Sequence, residues 1–132
     1  MAITPNQDQF VALATSEKEG EVVMLNLLRY KREASAGEGS GEDAYRQYGS
    51  AAVKMVEERG GNVLWMGNPD QVLIGDEAAN QWDAVALVSY PSRQAFIDMV
   101  SQPDYEKAHE HRESGLADTV LIAMTPAALA AS

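Results

Sequence analysis

The alternation of apolar and polar residues divides the chain into helices and strands. Apolar residues at helical spacing predict helices at 6–16, 42–59 and 93–101. Pro103 predicts the start of a further short helix at about 103–112, which Gly115 ends. Short apolar runs predict strands at 22–30, 82–90 and 117–125. A further strand is predicted at 62–67, continuing at 71–75 after a turn at Asn68-Pro69-Asp70.

The segment 22–30 is the clearest strand, because both of its alternating faces are apolar. Its six apolar side chains are Val22, Met24 and Leu28 on one face and Val23, Leu25 and Leu27 on the other. A strand of this kind lies inside a sheet that is covered on both sides.

The order of elements after the leading helix is β-α-β-β-α-β, which predicts an α+β, ferredoxin-like fold with a four-stranded antiparallel sheet and helices on one face. The strands remain apolar on the other face, and a bare apolar sheet face is a partner surface. We therefore expect a homodimer. We also expect one domain over residues 1–132, with an N-terminal helical extension at 1–20 and a loose tail at 126–132.

Composition narrows the function classes. The chain has 132 residues, no cysteine and a formal net charge of −10. The missing cysteines exclude disulfides and thiolate chemistry, and the negative charge disfavours nucleic acid as a partner. No apolar run has the ~20 residues of a membrane span, and the first residues lack the basic start of a secretory signal. We expect a cytoplasmic protein that associates with neither nucleic acid nor membrane.

Several stretches together resemble an uncharacterised bacterial family, domain of unknown function 1330, of the dimeric α+β-barrel superfamily. The matching stretches are Leu25-Asn26-Leu27-Leu28, Ala44-Tyr45 with Tyr48, residues 60–67, Trp82-Asp83, Tyr90-Pro91-Ser92-Arg93 with Ala95-Phe96, and His111-Arg112 with Leu116 and Asp118. The resemblance implies the ferredoxin-like fold and paired sheets, and it implies no reaction. Relatives in the superfamily include cofactor-free monooxygenases, lactone isomerases and haem enzymes, so fold alone does not carry function.

Two places carry candidate chemistry. Asn26 lies in mid-strand among apolar neighbours, where a buried amide either orients a ligand or is tied to adjacent backbone. His111-Arg112 lies near the end of the last helix, where an imidazole can move a proton and a guanidinium can hold a carboxylate or an enolate oxygen. A cap with a salt bridge is the alternative for this pair.

Aromatic residues complete a candidate pocket. Tyr48 should face the sheet from its helix, and Trp65 and Trp82 come from strands; each is either core or pocket lining. The hypothesis is a cavity in which Asn26, Tyr48, Trp65 and Trp82 bind a ligand while His111 and Arg112 act as catalytic residues.

A metal site and a cofactor are not expected. His109 and His111 are two residues apart and point to different faces of a helix. Asp83, at a strand start, is expected to accept turn amides or pair with an arginine.

Three functions remain open on the sequence alone. The chain is a cofactor-independent isomerase, lyase or monooxygenase acting on a small carbonyl or aromatic metabolite, a non-catalytic ligand-binding protein, or an assembly protein.

Overall fold

The computed structural model describes residues 3–36 and 39–127. Within them lie four helices and four strands: α1 (Gln7–Ala14), β1 (Val22–Tyr30), α2 (Gly41–Glu58), β2 (Asn62–Gly67), β3 (Ala84–Tyr90), α3 (Arg93–Val100), α4 (Pro103–Gly115) and β4 (Leu116–Met124). None of the described helices is both long and apolar enough to cross a membrane.

Local sequence signals set the helix beginnings. Ser40 caps α2 by accepting a hydrogen bond from the backbone of Asp43, and the Asp43 carboxylate accepts one from the backbone of Ser40, so the two residues form a capping box. α4 begins at Pro103, where the missing backbone N–H costs nothing.

The strands form one antiparallel sheet in the order β2-β3-β1-β4. This order, with helices on one face, is the ferredoxin-like α+β architecture that the element order predicted. The central strand β1 pairs with β3 and β4, so the side chains on each of its faces have strand neighbours on both sides.

The helix-covered face of the sheet holds two apolar clusters. The Met24 cluster consists of Val22, Met24, Val56, Tyr90, Phe96 and Met99, and the Leu28 cluster consists of Leu28, Ala84 and Leu116. α1 adds Leu13 to the first cluster, so the N-terminal helix lies on the same side as the other three.

The second face of the sheet, here called the open face, is covered by none of the described helices. Register places the following side chains on it: Val23, Leu25, Leu27, Trp65, Val85, Leu87, Val120 and Ile122. Of these, Trp65 is 56% exposed and Ile122 is 44% exposed.

The strand predicted at 71–75 is wrong. Residues 68–83 form a loop with one 3₁₀ turn at Glu77–Ala79, and Leu73 and Ile74 are 84% and 90% exposed. Pro69 lacks a donor for a ladder bond, and Gly75 adopts a φ of 123°, which side-chain-bearing residues rarely do.

The chain termini bear on two remaining expectations. Thr125, Pro126 and Ala127 continue beyond β4 without regular structure, and the rest of the predicted loose tail, 128–132, lies outside the described residues. The division into one domain with an N-terminal extension stays a prediction.

Candidate functional site

A layer of polar side chains separates the two apolar clusters between the helices and the sheet. Along β1, Asn26 falls between Met24 and Leu28 on the helix-covered face. In the helix layer, Tyr105 packs against the Met24 cluster and Tyr45 packs against the Leu28 cluster. The ring of Tyr48 lies between these two tyrosines, with centroid distances of 6.0 Å to Tyr105 and 5.3 Å to Tyr45.

Two tyrosines of this polar layer, Tyr45 and Tyr48, stay protonated. The hydroxyl groups of Tyr48 and Tyr105 share a hydrogen bond of 2.9 Å. Burial raises the pKa of Tyr48 well above its ordinary value and raises the pKa of Tyr45 to about 12. The phenols of Tyr45 and Tyr48 are therefore neutral hydrogen-bonding groups near neutral pH.

Arg112 brings a positive charge into the same layer. Its side chain lies on the last turn of α4, with the residue 6% exposed, and its guanidinium carbon is 5.9 Å from the ring centroid of Tyr48. Nη1 donates to the backbone carbonyl of Ile3 at 2.6 Å, and Nη2 lies 3.5 Å from Oγ1 of Thr119. Across residues 3–36 and 39–127, none of the ion pairs involves Arg112.

The register of β4 relates the contact point of Arg112 to Asn26. Thr119, which Nη2 approaches, is two residues from Leu121, the residue that pairs with Asn26. Two residues of strand span roughly 7 Å, so Thr119 and the pairing position of Asn26 are one sheet row apart. The amide Nδ2 of Asn26 is 3.3 Å from the carbonyl oxygen of Met24 and 3.4 Å from that of Ala86, which matches the structural alternative for this residue as well.

His109 is the histidine that joins this layer. Its ring stacks on Tyr105 at 5.7 Å and 25°, and its Nε2 is 3.1 Å from Oε1 of Glu113. A carboxylate accepts, so Nε2 carries the proton and Nδ1 carries the lone pair. Nδ1 is buried and has no hydrogen-bond partner in the described structure. Burial, with the Arg112 charge, lowers the pKa of His109 below its usual value, against the opposing effect of Glu113.

His111 does not join the layer, contrary to the predicted convergence. It is exposed, whereas its neighbour Arg112 is buried. Successive residues on a helix differ by about 100° in direction, so only one of the two can point inward. The signal that identifies His109 in the sequence is the glutamate four residues later, since side chains at i and i+4 are neighbours on a helix.

Trp65 lies outside the polar layer. Trp65 is on the open face, where its indole covers Gly67: a Cβ at that glycine would lie 2.2 Å from a ring carbon. Trp82 is half-buried in the segment before β3. The structure thus brings Tyr48 and Arg112 together, with Asn26 in the same layer, and it separates Trp65 from them.

A different, open cavity of about 410 Å³ lies at the end of the sheet where β1 finishes. It is lined by Tyr30, Lys31, Ser40, Glu42, Asn68 and Asp83. Asp83 accepts a hydrogen bond from the backbone of Tyr30 at 2.8 Å, in agreement with its expected role as an acceptor for turn amides. The Tyr30 ring is 5.6 Å from that of Tyr45, so the cavity borders the aromatic row that leads to Tyr48.

Comparison with solved structures identifies proteins whose fold is similar to that of this chain. The RPA0582 protein of unknown function from Rhodopseudomonas palustris is 34% identical, with a TM-score of 0.89, over 96% of this chain and 98% of that one. Its methylated form gives 33% identity and a TM-score of 0.90, over 98% and 97% of the two chains. A dimeric ferredoxin-like protein of unknown function from Thermobifida fusca is 15% identical, with a TM-score of 0.52, over 85% and 96%, and shares the fold.

Proteins with curated functions give no match to this chain. The family model described as domain of unknown function, DUF1330, matches residues 38–125, about two thirds of the sequence. Together with the full-length similarity to the Rhodopseudomonas protein, this match shows that the chain belongs to the DUF1330 family.

Proposed function

We propose that this protein is a homodimer that binds a small carbonyl compound at the polar layer and isomerises it by proton transfer without a cofactor. The supporting observation is the polar layer itself. Burying an amide, a phenol pair and a guanidinium between two apolar clusters costs stability, and such groups gather where a ligand is recognised.

The chemistry assigns one role to each group. Arg112 polarises the ligand's carbonyl oxygen, and Asn26 binds the ligand farther along the layer. Nδ1 of His109 accepts a proton from the carbon next to that carbonyl, and the electron pair of the broken C–H bond moves to the oxygen as an enolate beside Arg112. In a ligand with a C=C bond attached to that carbon, the enolate is conjugated with the C=C bond. His109 returns the proton to the far carbon of the C=C bond, whose electron pair forms the new C–H bond, while the C=C bond shifts next to the carbonyl and the C=O bond re-forms, so atoms and charge balance.

The surroundings of His109 suit it to act as a base. Glu113 fixes the tautomer through Nε2, as the third group of a catalytic triad orients its histidine. The lowered pKa keeps the imidazole neutral, and therefore basic, near pH 7. In this proposal His109 takes the role that the sequence suggested for His111.

The proton transfer is tested by deuterium exchange at the carbon next to the carbonyl, followed by ¹H NMR in D₂O with a panel of small ketones and 2-oxo acids. We expect catalysed exchange in the native protein, its loss in His109→Gln and its retention in His111→Gln. Exchange that survives in His109→Gln would contradict the assignment. Binding without exchange in the native protein would favour the ligand-binding alternative over the enzyme.

The homodimer is supported by the open face. Apolar side chains of all four strands line it, no described helix covers it, and Trp65 is 56% exposed. Pairing two such faces about a two-fold axis would cover them, with an interface on the order of 2,000 Å² or more for an obligate dimer. In this arrangement Trp65 is an interface residue and not a ligand contact.

Sedimentation tests the dimer with a matched pair of variants. Trp65→Lys places a charge on the open face and should give a monomer at micromolar concentration. Val53→Lys adds the same charge at a 39% exposed position of α2 and should remain a dimer. A native monomer would rule out the dimer. The cytoplasmic location expected from the sequence is part of this proposal.

A further inference from the structure

We infer that the ligand of this site carries a single negative charge and binds Arg112 in the place that the Ile3 carbonyl oxygen now occupies. This inference rests on the proposed function and deepens it by naming the ligand class: a small monocarboxylate, such as a 2-oxo acid.

The first argument is the charge of Arg112. The residue is 6% exposed, and the groups around the guanidinium are the Ile3 carbonyl, the Thr119 hydroxyl and the Tyr48 ring. All three are neutral. A charge buried this deeply is normally paired with an opposite charge. A monoanionic ligand would supply the missing charge, and the planar guanidinium suits a carboxylate.

The nearby carboxylates do not supply that charge. Glu113, the next residue on α4, is bound to His109, and Asp118 on β4 lies 3.9 Å from Arg29. In the described part of the chain, none of the three ion pairs reaches Arg112. Among the residues that the structure describes, Arg112 is thus a buried cation without a counter-ion, which a ligand of charge minus one would balance.

The second argument is the contact with Ile3, 109 residues away in sequence. A backbone carbonyl is a weaker partner for a guanidinium than a carboxylate, yet it holds Arg112 at 2.6 Å. The Ile3 side chain packs against the Leu28 cluster, as do Tyr30 and Tyr45. Residues 3–5, here called the strap, therefore hold the Ile3 carbonyl on the guanidinium and the Ile3 side chain on the same cluster as Tyr30, which lines the open cavity.

The strap can leave Arg112 without disturbing the beginning of α1. It precedes the capping box of Asn6 and Gln9, which begins α1 without using residues 3–5. A ligand carboxylate that replaced the Ile3 carbonyl would free Ile3 from its cluster and open a route from the cavity at Tyr30 toward Arg112. The strap thus occupies the ligand position in the free protein.

Matched probes test the ligand charge. Pyruvate, phenylpyruvate and benzoate are each compared with the corresponding amide by ligand-observed NMR and calorimetry. We expect the carboxylates to bind and the amides to bind at least about tenfold more weakly, because a charged pair replaces a neutral contact. Arg112→Gln should remove this preference. Arg46→Gln, which loses the same charge from a side chain that is 72% exposed, should keep it.

A shortened chain tests the strap. Joining Met1 to Asn6 removes residues 2–5 and keeps the α1 capping box. If the strap competes with the ligand, this variant should bind the carboxylates about tenfold more tightly than the full chain, with a circular dichroism spectrum confirming that it folds. Unchanged affinity would overturn the role of the strap.

The outcomes separate the two proposals. If carboxylate and amide bind equally and Arg112→Gln weakens both, the site stands and the ligand-charge inference is wrong. If neither member of any pair binds to the full or the shortened chain, both the inference and the proposed binding site are overturned.

Discussion

Gly41 and Gly115 meet backbone to backbone where α2 begins and α4 ends. A Cβ added to Gly41 would lie 2.5 Å from the carbonyl oxygen of Gly115, and one added to Gly115 would lie 2.4 Å from that of Gly41. The backbone of Lys31, just after β1, approaches equally closely and accepts a hydrogen bond from Gly41 at 3.0 Å. This contact fixes α4, and with it Arg112, relative to α2 and its tyrosines.

Substitution at this contact should be costly. We expect Gly115→Ala to lower the free energy of unfolding by about 3 kcal/mol or more, because backbone atoms would have to move. Gly49→Ala is the matched control, since a Cβ there meets nothing within 4 Å in the middle of α2. It should raise the free energy of unfolding by roughly 0.5–1 kcal/mol. Denaturant melts measure both, and equal effects would contradict the close contact.

Arg112→Met should separate stability from function. The substitution removes a buried charge that has no counter-ion in the described structure and keeps most of the side-chain volume. We expect the free energy of unfolding to change by less than about 1.5 kcal/mol or to rise, while binding of carboxylate probes is lost. A loss of several kcal/mol, found by denaturant melts, would mean that Arg112 is mainly structural.

The pH dependence of stability should report His109. Its pKa is lowered in the folded protein, chiefly by burial and by Arg112. The unfolded state therefore binds more protons just below the ordinary histidine pKa of about 6.5, and stability falls as the pH drops through this range toward the folded pKa. Above that range the group is neutral in both states and contributes nothing.

Two histidine variants test this assignment. His109→Gln should flatten the dependence of the denaturant midpoint between about pH 7 and pH 5. His111→Gln leaves His109 in place and should keep the dependence of the native chain. A pH dependence that survives in His109→Gln and disappears in His111→Gln would contradict the assignment to His109.

Gly67→Ala should disturb the open face through Trp65. A methyl group at Gly67 would collide with the indole ring, which must then swing away from the strand. Because the indole is the far end of a side chain that is already half-exposed, we expect a loss of stability of about 1 kcal/mol or less in the protomer. The Trp65 fluorescence should shift and the proposed dimer should weaken in sedimentation. An unchanged spectrum would show that the ring does not rest on Gly67.

Much of the fold follows from the sequence because its signals are local. The double apolar alternation of 22–30 indicates a central strand, and the Ser40 and Asp43 pair marks the beginning of α2. The prediction of a strand at 71–75 was wrong because an apolar run forms a strand only where a neighbouring strand is available for pairing. The apolar residues of this segment, Leu73 and Ile74, are instead exposed in a loop.

The candidate site was only partly predictable. Tyr48 and Arg112 meet as expected, but the rotation of α4 about its axis was not fixed by its sequence. Of its thirteen residues, the apolar ones are Tyr105 and Ala108, too few to define an inward face and to distinguish His109 from His111. The contact of Arg112 with Ile3 spans nearly the whole chain and has no local signal at all.

The irregularity in β2 lets this strand carry one more residue than its partner while Trp65 keeps its place. Val63 pairs with Val88 on the helix-covered face, and Trp65 pairs with Leu87 on the open face, so Leu64 is the extra residue between them. Without Leu64, Val63 and Trp65 would be consecutive residues opposite the consecutive residues Val88 and Leu87, and the indole would stay on the open face. A relative that is one residue shorter at this point would therefore present the same surface to its partner, whereas an insertion or deletion elsewhere in β2 would turn the tryptophan toward the helices.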